Sequence, residues 1–150
     1  MSKISSHLHE TILLENILRI KLEKPMILEV GCGHGELSNA LALRGHQVLG
    51  IDCSAEHLKV ACAKDQTKSV IYQVAMAHEL PHPDHTFDVV TILTGLKSID
   101  PKVMLRELER VLKPGGLILY DTRWSELEKS SLIKVETFSQ TKLKVARKIA

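Results

Sequence analysis

The chain has 150 residues, 44% of them apolar, and a formal net charge of +2. That length suits one domain with a single core over 1–150, no apolar run is long enough to span a membrane, and the charge is too small to argue for nucleic acid by itself. Three cysteines, Cys32, Cys53 and Cys62, leave an odd count without C-x-x-C, which speaks against a disulfide framework and for small core or pocket residues.

Residues 2–9 lack the apolar stretch of a signal peptide, so a cytoplasmic protein is expected. Residues 4–22 place Leu8, Ile12, Leu14, Ile17, Leu18 and Leu22 at a helical period, with Ser5 or Ser6 as N-cap. One helix within 1–24 is predicted to lead to Pro25, with His7 and His9 on its exposed face. Residues 26–30 (MILEV) are strand-like but for the acid Glu29, and run into Gly31-Cys32-Gly33-His34-Gly35. An amphipathic helix over 36–44 follows. Glycines at alternate positions let the backbone turn tightly and approach a ligand, and the helix N-terminus directs its dipole at whatever occupies the turn. A dinucleotide fingerprint needs a small residue at position 36, which is Glu36. The pattern E-x-G-x-G-x-G instead resembles motif I of the class I S-adenosylmethionine (SAM) dependent methyltransferases.

Residues 47–51 read as a second strand ending in Asp52, placed after the glycine turn as an acid that accepts hydrogen bonds from ribose hydroxyls would be. Ser54 can cap the helix predicted over 55–64, leaving Asp52 for a ligand. VLGIDCS resembles the family's strand-two motif. A third strand is expected over 69–74. The stretch from Leu80 to Val90 then resembles the LPFPDxSFDVV segment of the methyltransferase type 11 group, which includes ubiquinone and menaquinone biosynthesis enzymes. In that group an Asp before the alanine usually binds the adenine amino group; this chain has Met76, so apolar packing and the Ala77 N–H would hold the adenine. His78, His82 and His85 lie close together, but two prolines hold the backbone out of a helix and no cysteine is near, so a solvated loop is favoured over a metal site.

Residues 87–93 are nearly continuous in apolar side chains, as a strand covered on both faces should be, and lead to Thr94, Gly95, Leu96 and Lys97. Methyl acceptors sit here in the family, and no N-P-P-Y motif is present. Residues 101–112 predict a helix with Asp100 as N-cap and Pro101 in the first turn. RELERVLKPGGLILYDT resembles the family's late motif, with Lys113 to Gly116 turning the chain from helix into the fifth strand. Residues 124–129 leave room for a two-turn helix. Residues 133–138 and 142–149 predict an antiparallel hairpin within 132–150, with one wet face and a lysine-bearing last strand as the sheet edge.

The resemblance implies an α/β, Rossmann-like, doubly wound seven-stranded sheet of order 3-2-1-4-5-7-6 with strand 7 antiparallel. It implies SAM as cofactor, bordered by Glu29, Gly31, Cys32, Gly33, Asp52, Cys53, Met76, Ala77 and Leu93, and no metal. Asp121 is the candidate general base, with Thr94, Lys97 and Arg123 as acceptor contacts. The acceptor, a small molecule, protein or RNA, is not fixed by these residues. Insertions that roof the acceptor pocket in larger family members are missing from this sequence, so a large substrate, a partner subunit or a homodimer would complete the site. A non-catalytic partner subunit built on the same fold is the alternative, and SAM binding discriminates between the two.

Overall fold

A computed structural model describes residues 24–93, 99–130, 133–136 and 143–149. The predicted N-terminal helix with His7 and His9, and Thr94, Gly95, Leu96, Lys97 and Ser98, lie outside the described residues. Strands β1 (Met26–Val30), β2 (Gln47–Asp52), β3 (Ile71–Val74), β4 (Phe87–Ile92), β5 (Leu112–Asp121), β6 (Ile133–Glu136) and β7 (Leu143–Lys148) form one sheet of order β3-β2-β1-β4-β5-β7-β6. β1 to β5 pair in parallel, and β7 is antiparallel to both β5 and β6. Helices α1 (Glu36–Leu43), α2 (Ala55–Lys64) and α3 (Pro101–Val111) follow β1, β2 and β4, and a 3₁₀ helix (Thr122–Lys129) follows β5.

Successive side chains of a strand point to opposite faces, so apolar runs buried on both sides build two cores. Leu28, Val90, Ile118 and Tyr120 pack with Met104, Leu108 and Val111 of α3. Their neighbours Ile27, Val89, Leu117 and Leu119 pack on the other face with Leu37 and Leu41 of α1. The caps expected from the sequence form: Ser54 accepts from the His57 N–H, and Asp100 from the Lys102 N–H with Pro101 in the first turn.

Five details differ from the sequence-based expectation. The third strand starts at Ile71 rather than 69, because Asp65 accepts from the N–H groups of Thr67 and Val70 and folds 65–70 into a turn. Leu112 already pairs with Phe87 and Leu117 with Val89, so Lys113 to Gly116 bulge out of β5 instead of preceding it. Gly115 supplies the left-handed position there (φ 80°). The segment after β5 is a 3₁₀ helix kinked at Trp124, not an α-helix; Asp121 caps its start, and the Tyr120 hydroxyl holds Glu128 near its end at 3.0 Å. The last strand is interior, with β6 outside it, and among the described residues its lysines are not on a wet face: Lys144 is half-buried against Glu128. Lys148 is buried, its Nζ donating to the Glu109 and Leu112 carbonyls at the end of α3, where a cation meets the negative pole of the helix. Finally, Cys32 is buried but Cys53 and Cys62 are exposed rather than core residues.

No described helix is long and apolar enough to cross a membrane.

Candidate functional site

The site is built at the carboxyl ends of β1 and β2. Gly31, Gly33 and Gly35 all have positive φ (70°, 54° and 78°), a conformation other residues adopt only with strain. The Cys32 N–H donates to the Ile51 carbonyl at 2.9 Å, and the Gly35 N–H to the Cys32 carbonyl at 2.9 Å. These bonds lock the turn onto the end of β2. A Cβ built on Gly33 would meet nothing within 4 Å, whereas one on Gly35 would collide with the Tyr72 hydroxyl and stand 2.7 Å from the Ala61 Cβ. Gly33 therefore faces open space and Gly35 faces packed protein.

Glu29 is buried below the turn and accepts from the Ser38 hydroxyl at 2.5 Å, a bond between β1 and α1. Burial, with Glu29 and Asp52 nearby, pushes the Cys32 thiol up and keeps it protonated, so it lines the turn without acting as a nucleophile. Tyr72 is the residue the sequence concealed. Its ring covers Gly50, where a Cβ would lie 2.7 Å from the Tyr72 Cε1, and its hydroxyl donates to the Asn39 Oδ1 at 2.6 Å. Burial likewise pushes its phenol up. Only the parallel register of β2 and β3, which sets Tyr72 beside Gly50, makes that contact, so no local motif signals it.

Asp52 is 9% exposed and turned toward the glycine turn. Its Oδ1 accepts from the Gly33 N–H at 3.3 Å. Its Oδ2 accepts from the Ser54 N–H at 3.1 Å and contacts the His57 Nδ1 at 3.0 Å. Ser54 does cap the helix, as expected, but Asp52 is not otherwise free: a histidine side chain shares the carboxylate. The His34 ring, from the turn itself, stands edge-on to the His57 ring with centroids 5.1 Å apart. His57 occupies the third position of α2, from which side chains reach back past the cap; that spacing was the available signal for it.

Met76 and Glu79 form a one-residue bridge that closes a tight loop, with Ala77 buried and Met76 42% exposed. Cys53 is exposed beside Asp52, and Leu93 is half-buried past the end of β4. The loop that follows is not simply solvated. Arg110 of α3 donates to the carbonyls of Leu80 (2.9 Å) and His82 (2.6 Å) and pairs with Glu107 (2.8 Å) and Asp84 (3.1 Å). The hydrogen bond from Arg110 holds the Glu107 carboxyl below its usual range. His82 lies edge-on to Phe87, and burial and then the Arg110 charge lower its basicity. Arg110→Ala removes the guanidinium from two carbonyls and two carboxylates, and is expected to cost roughly 2–3 kcal/mol in urea denaturation; a loss below about 0.5 kcal/mol would show that the loop is held by something else. On the acceptor side, Asp121 accepts from the Arg123 N–H and pairs with the Arg123 Nε at 3.1 Å, so both residues have a structural role at the start of the 3₁₀ helix.

A hollow of about 580 Å³, lined by Met26, Ala42, His46, Val48 and Ile71 among others, lies at the amino ends of β1 and β2. It is at the opposite end of the sheet from Asp52 and lacks a buried carboxylate. Ligands of open parallel sheets bind at the carboxyl ends, so the open face of the glycine turn beside Asp52 is the candidate site.

The chain matches the family described as "Methyltransferase domain" over residues 28–120. It is 41% identical over 100 residues to the ubiquinone biosynthesis O-methyltransferase of Idiomarina loihiensis, a match covering 64% of this chain and 41% of that protein. A relative of the same name from Pseudomonas putida is 40% identical over 111 residues, covering 69% of this chain and 47% of its own length. The chain thus spans less than half the length of these curated relatives. Among solved structures, the PH0226 protein of Pyrococcus horikoshii superposes with a TM-score of 0.76 at 20% identity, covering 98% of this chain and 92% of that one. A SAM-dependent methyltransferase from Methanosarcina mazei superposes with a TM-score of 0.66 at 20% identity, covering 89% and 97%. These two show that the fold is shared.

Proposed function

The chain belongs to the methyltransferase domain family, and from that premise we infer that it binds SAM at the open face of the glycine turn beside Asp52 and transfers a methyl group to an acceptor hydroxyl. The observation that carries this reading is the buried Asp52 carboxylate aimed at the Gly33 N–H across a turn that is open at Gly33. A glycine turn that is open at Gly33, with a buried acid beside it, fits an adenosyl group, whose ribose brings two hydroxyl donors.

On this reading Asp52 accepts from the ribose. Gly31, Cys32 and Gly33 border the methionine and ribose, with Cys53 at the mouth. Glu29, fixed by Ser38, supplies the negative field for the methionine ammonium. Met76, Ala77 and Leu93 border the adenine and the inner end of the cleft. When bound, the cofactor supplies a methyl group on a positively charged sulfur, an electrophile that needs no acid to activate it. The protein's contribution is then in-line positioning and exclusion of water. Asp121 is the proposed base where the acceptor proton must be removed, and acting so requires its pair with Arg123 to open. A hydroxyl acceptor is favoured because the curated relatives are O-methyltransferases. We propose further that the 150 residues work as one domain, with β6 and β7 completing the family's seven-stranded sheet and a partner or second copy roofing the acceptor side.

Titration calorimetry with SAM and with S-adenosylhomocysteine (SAH) tests the proposal, with micromolar binding of both expected. Absence of binding by either would favour the second reading, a non-catalytic partner subunit, for which the Met76 substitution and the His57 contact on Asp52 are the supporting observations.

A further inference from the structure

The Asp52 carboxylate is more fully occupied than a ribose acceptor should be. A carboxylate offers about four lone-pair positions. Three are taken here, by the Gly33 N–H, the Ser54 N–H and the His57 imidazole. A ribose diol brings two more donors, so five would compete for about four places. One must leave, and the two backbone amides are held by the chain itself: Ser54 caps α2 and Gly33 lies in a turn bonded to β2 at Cys32. The imidazole is on a side chain that is 51% exposed and can swing into solvent by rotating two bonds.

We propose that His57 is a positioning residue that guards the ribose-binding carboxylate: its ring holds Asp52 in the free protein, gives way when an adenosyl ligand arrives, and resists displacement once protonated. The proposal rests on the cofactor reading above and adds a regulation of that same site. A neutral imidazole makes one ordinary hydrogen bond to the carboxylate. An imidazolium makes a charge-assisted one, roughly twice as strong, and the ligand must break it. Protonation of the ring should therefore weaken binding.

The charged and titratable groups around the ring, among the described residues, are few. Asp52 faces it from the end of β2 and His34 from the glycine turn. The Cys53 thiol is exposed on the intervening loop, and on its own helix Glu56 pairs outward with Lys59. Asp52 is the anion in contact with the ring. His34 also confines the His57 ring by edge contact, so the ring has one obvious route away, toward solvent.

The test is SAH titration by calorimetry with the full chain at about pH 8 and about pH 5.5, which bracket histidine protonation. Wild type is expected to lose at least about fivefold in affinity at the lower pH. His57→Ala should lose less than about twofold and bind more tightly than wild type at the lower pH. His57→Gln keeps a donor without a titrating charge, and should be equally flat with pH. The proposal is overturned if His57→Ala retains the wild-type pH profile, or if it binds more weakly than wild type at both pH values, since the ring would then support the ligand. Failure of wild type to bind SAH at about pH 8 overturns the cofactor reading and this proposal together; binding with an unaltered profile in the variants overturns this proposal alone.

Discussion

Gly35→Ala is expected to destabilise the protein by about 2–5 kcal/mol, read as a shift in the urea midpoint at unchanged slope. Two effects add. A left-handed conformation (φ 78°) costs an alanine about 1–2 kcal/mol. Overpacking costs about 1–3 kcal/mol, because the new Cβ meets the Tyr72 hydroxyl and comes 2.7 Å from the Ala61 Cβ. Neither neighbour can retreat cheaply. Tyr72 is tied to Asn39 by its hydroxyl, Asn39 donates in turn to the Ala61 carbonyl at 3.1 Å, and Ala61 is fully buried on α2. Gly33→Ala makes the control. Its φ is also positive but its Cβ would enter open space, so it should lose about 1–2 kcal/mol from strain alone while narrowing the cleft and weakening SAH. If the two alanines destabilise equally, the packing argument at Gly35 is wrong.

Asp52→Asn is expected to weaken SAH by about 100-fold or more. Two hydrogen bonds from ribose hydroxyls to a charged acceptor are worth about 1.5–3 kcal/mol each, and losing charge assistance on both removes roughly 3 kcal/mol of binding. The same change replaces one acceptor oxygen by a donor, which cannot face the Ser54 N–H and the His57 ring together. The fold itself should lose only about 1–2 kcal/mol, because these are polar contacts at the rim of the sheet. Calorimetry and urea denaturation on the same preparation separate the two. An Asn variant that binds SAH within threefold of wild type would remove Asp52 from the ligand.

Much of this was legible in the chain because short-range rules suffice for it. Ile27, Leu28 and Val30 of β1, and Val89, Val90 and Ile92 of β4, divide by alternate residues between the α1 and α3 faces, as buried parallel strands require. Ser54 and Asp100 announce their helices by side-chain chemistry. What escaped the sequence depends on residues far apart in the chain. Lys148 reads as a wet residue in an alternating strand, and only the approach of the α3 terminus gives its ammonium two carbonyls. Tyr72 gains its importance from lying beside Gly50 across a strand pair. The two-turn segment after β5 is a 3₁₀ helix held at both ends by contacts outside it, from Asp121 at the start and from Tyr120 and Lys144 on Glu128 near the finish.

At the candidate site the glycines and Asp52 were readable as a pattern, since each follows a strand at a fixed spacing. The histidines were not readable as a pair. His34 looks like filler in a glycine motif and His57 like a surface residue of a capped helix. Their proximity arises only when the turn and the start of α2 fold over the same carboxylate.

The most direct measurement is an amide NMR titration of the labelled protein with SAH. If the adenosyl seat is the turn closed by Asp52, the amides of Gly31, Gly33, Ser54 and Ala77 should shift saturably with the ligand, while those of His46 and Ile71, at the far end of the sheet, stay still. Shifts concentrated at His46 and Ile71, with Gly33 and Ser54 unmoved, would contradict the account.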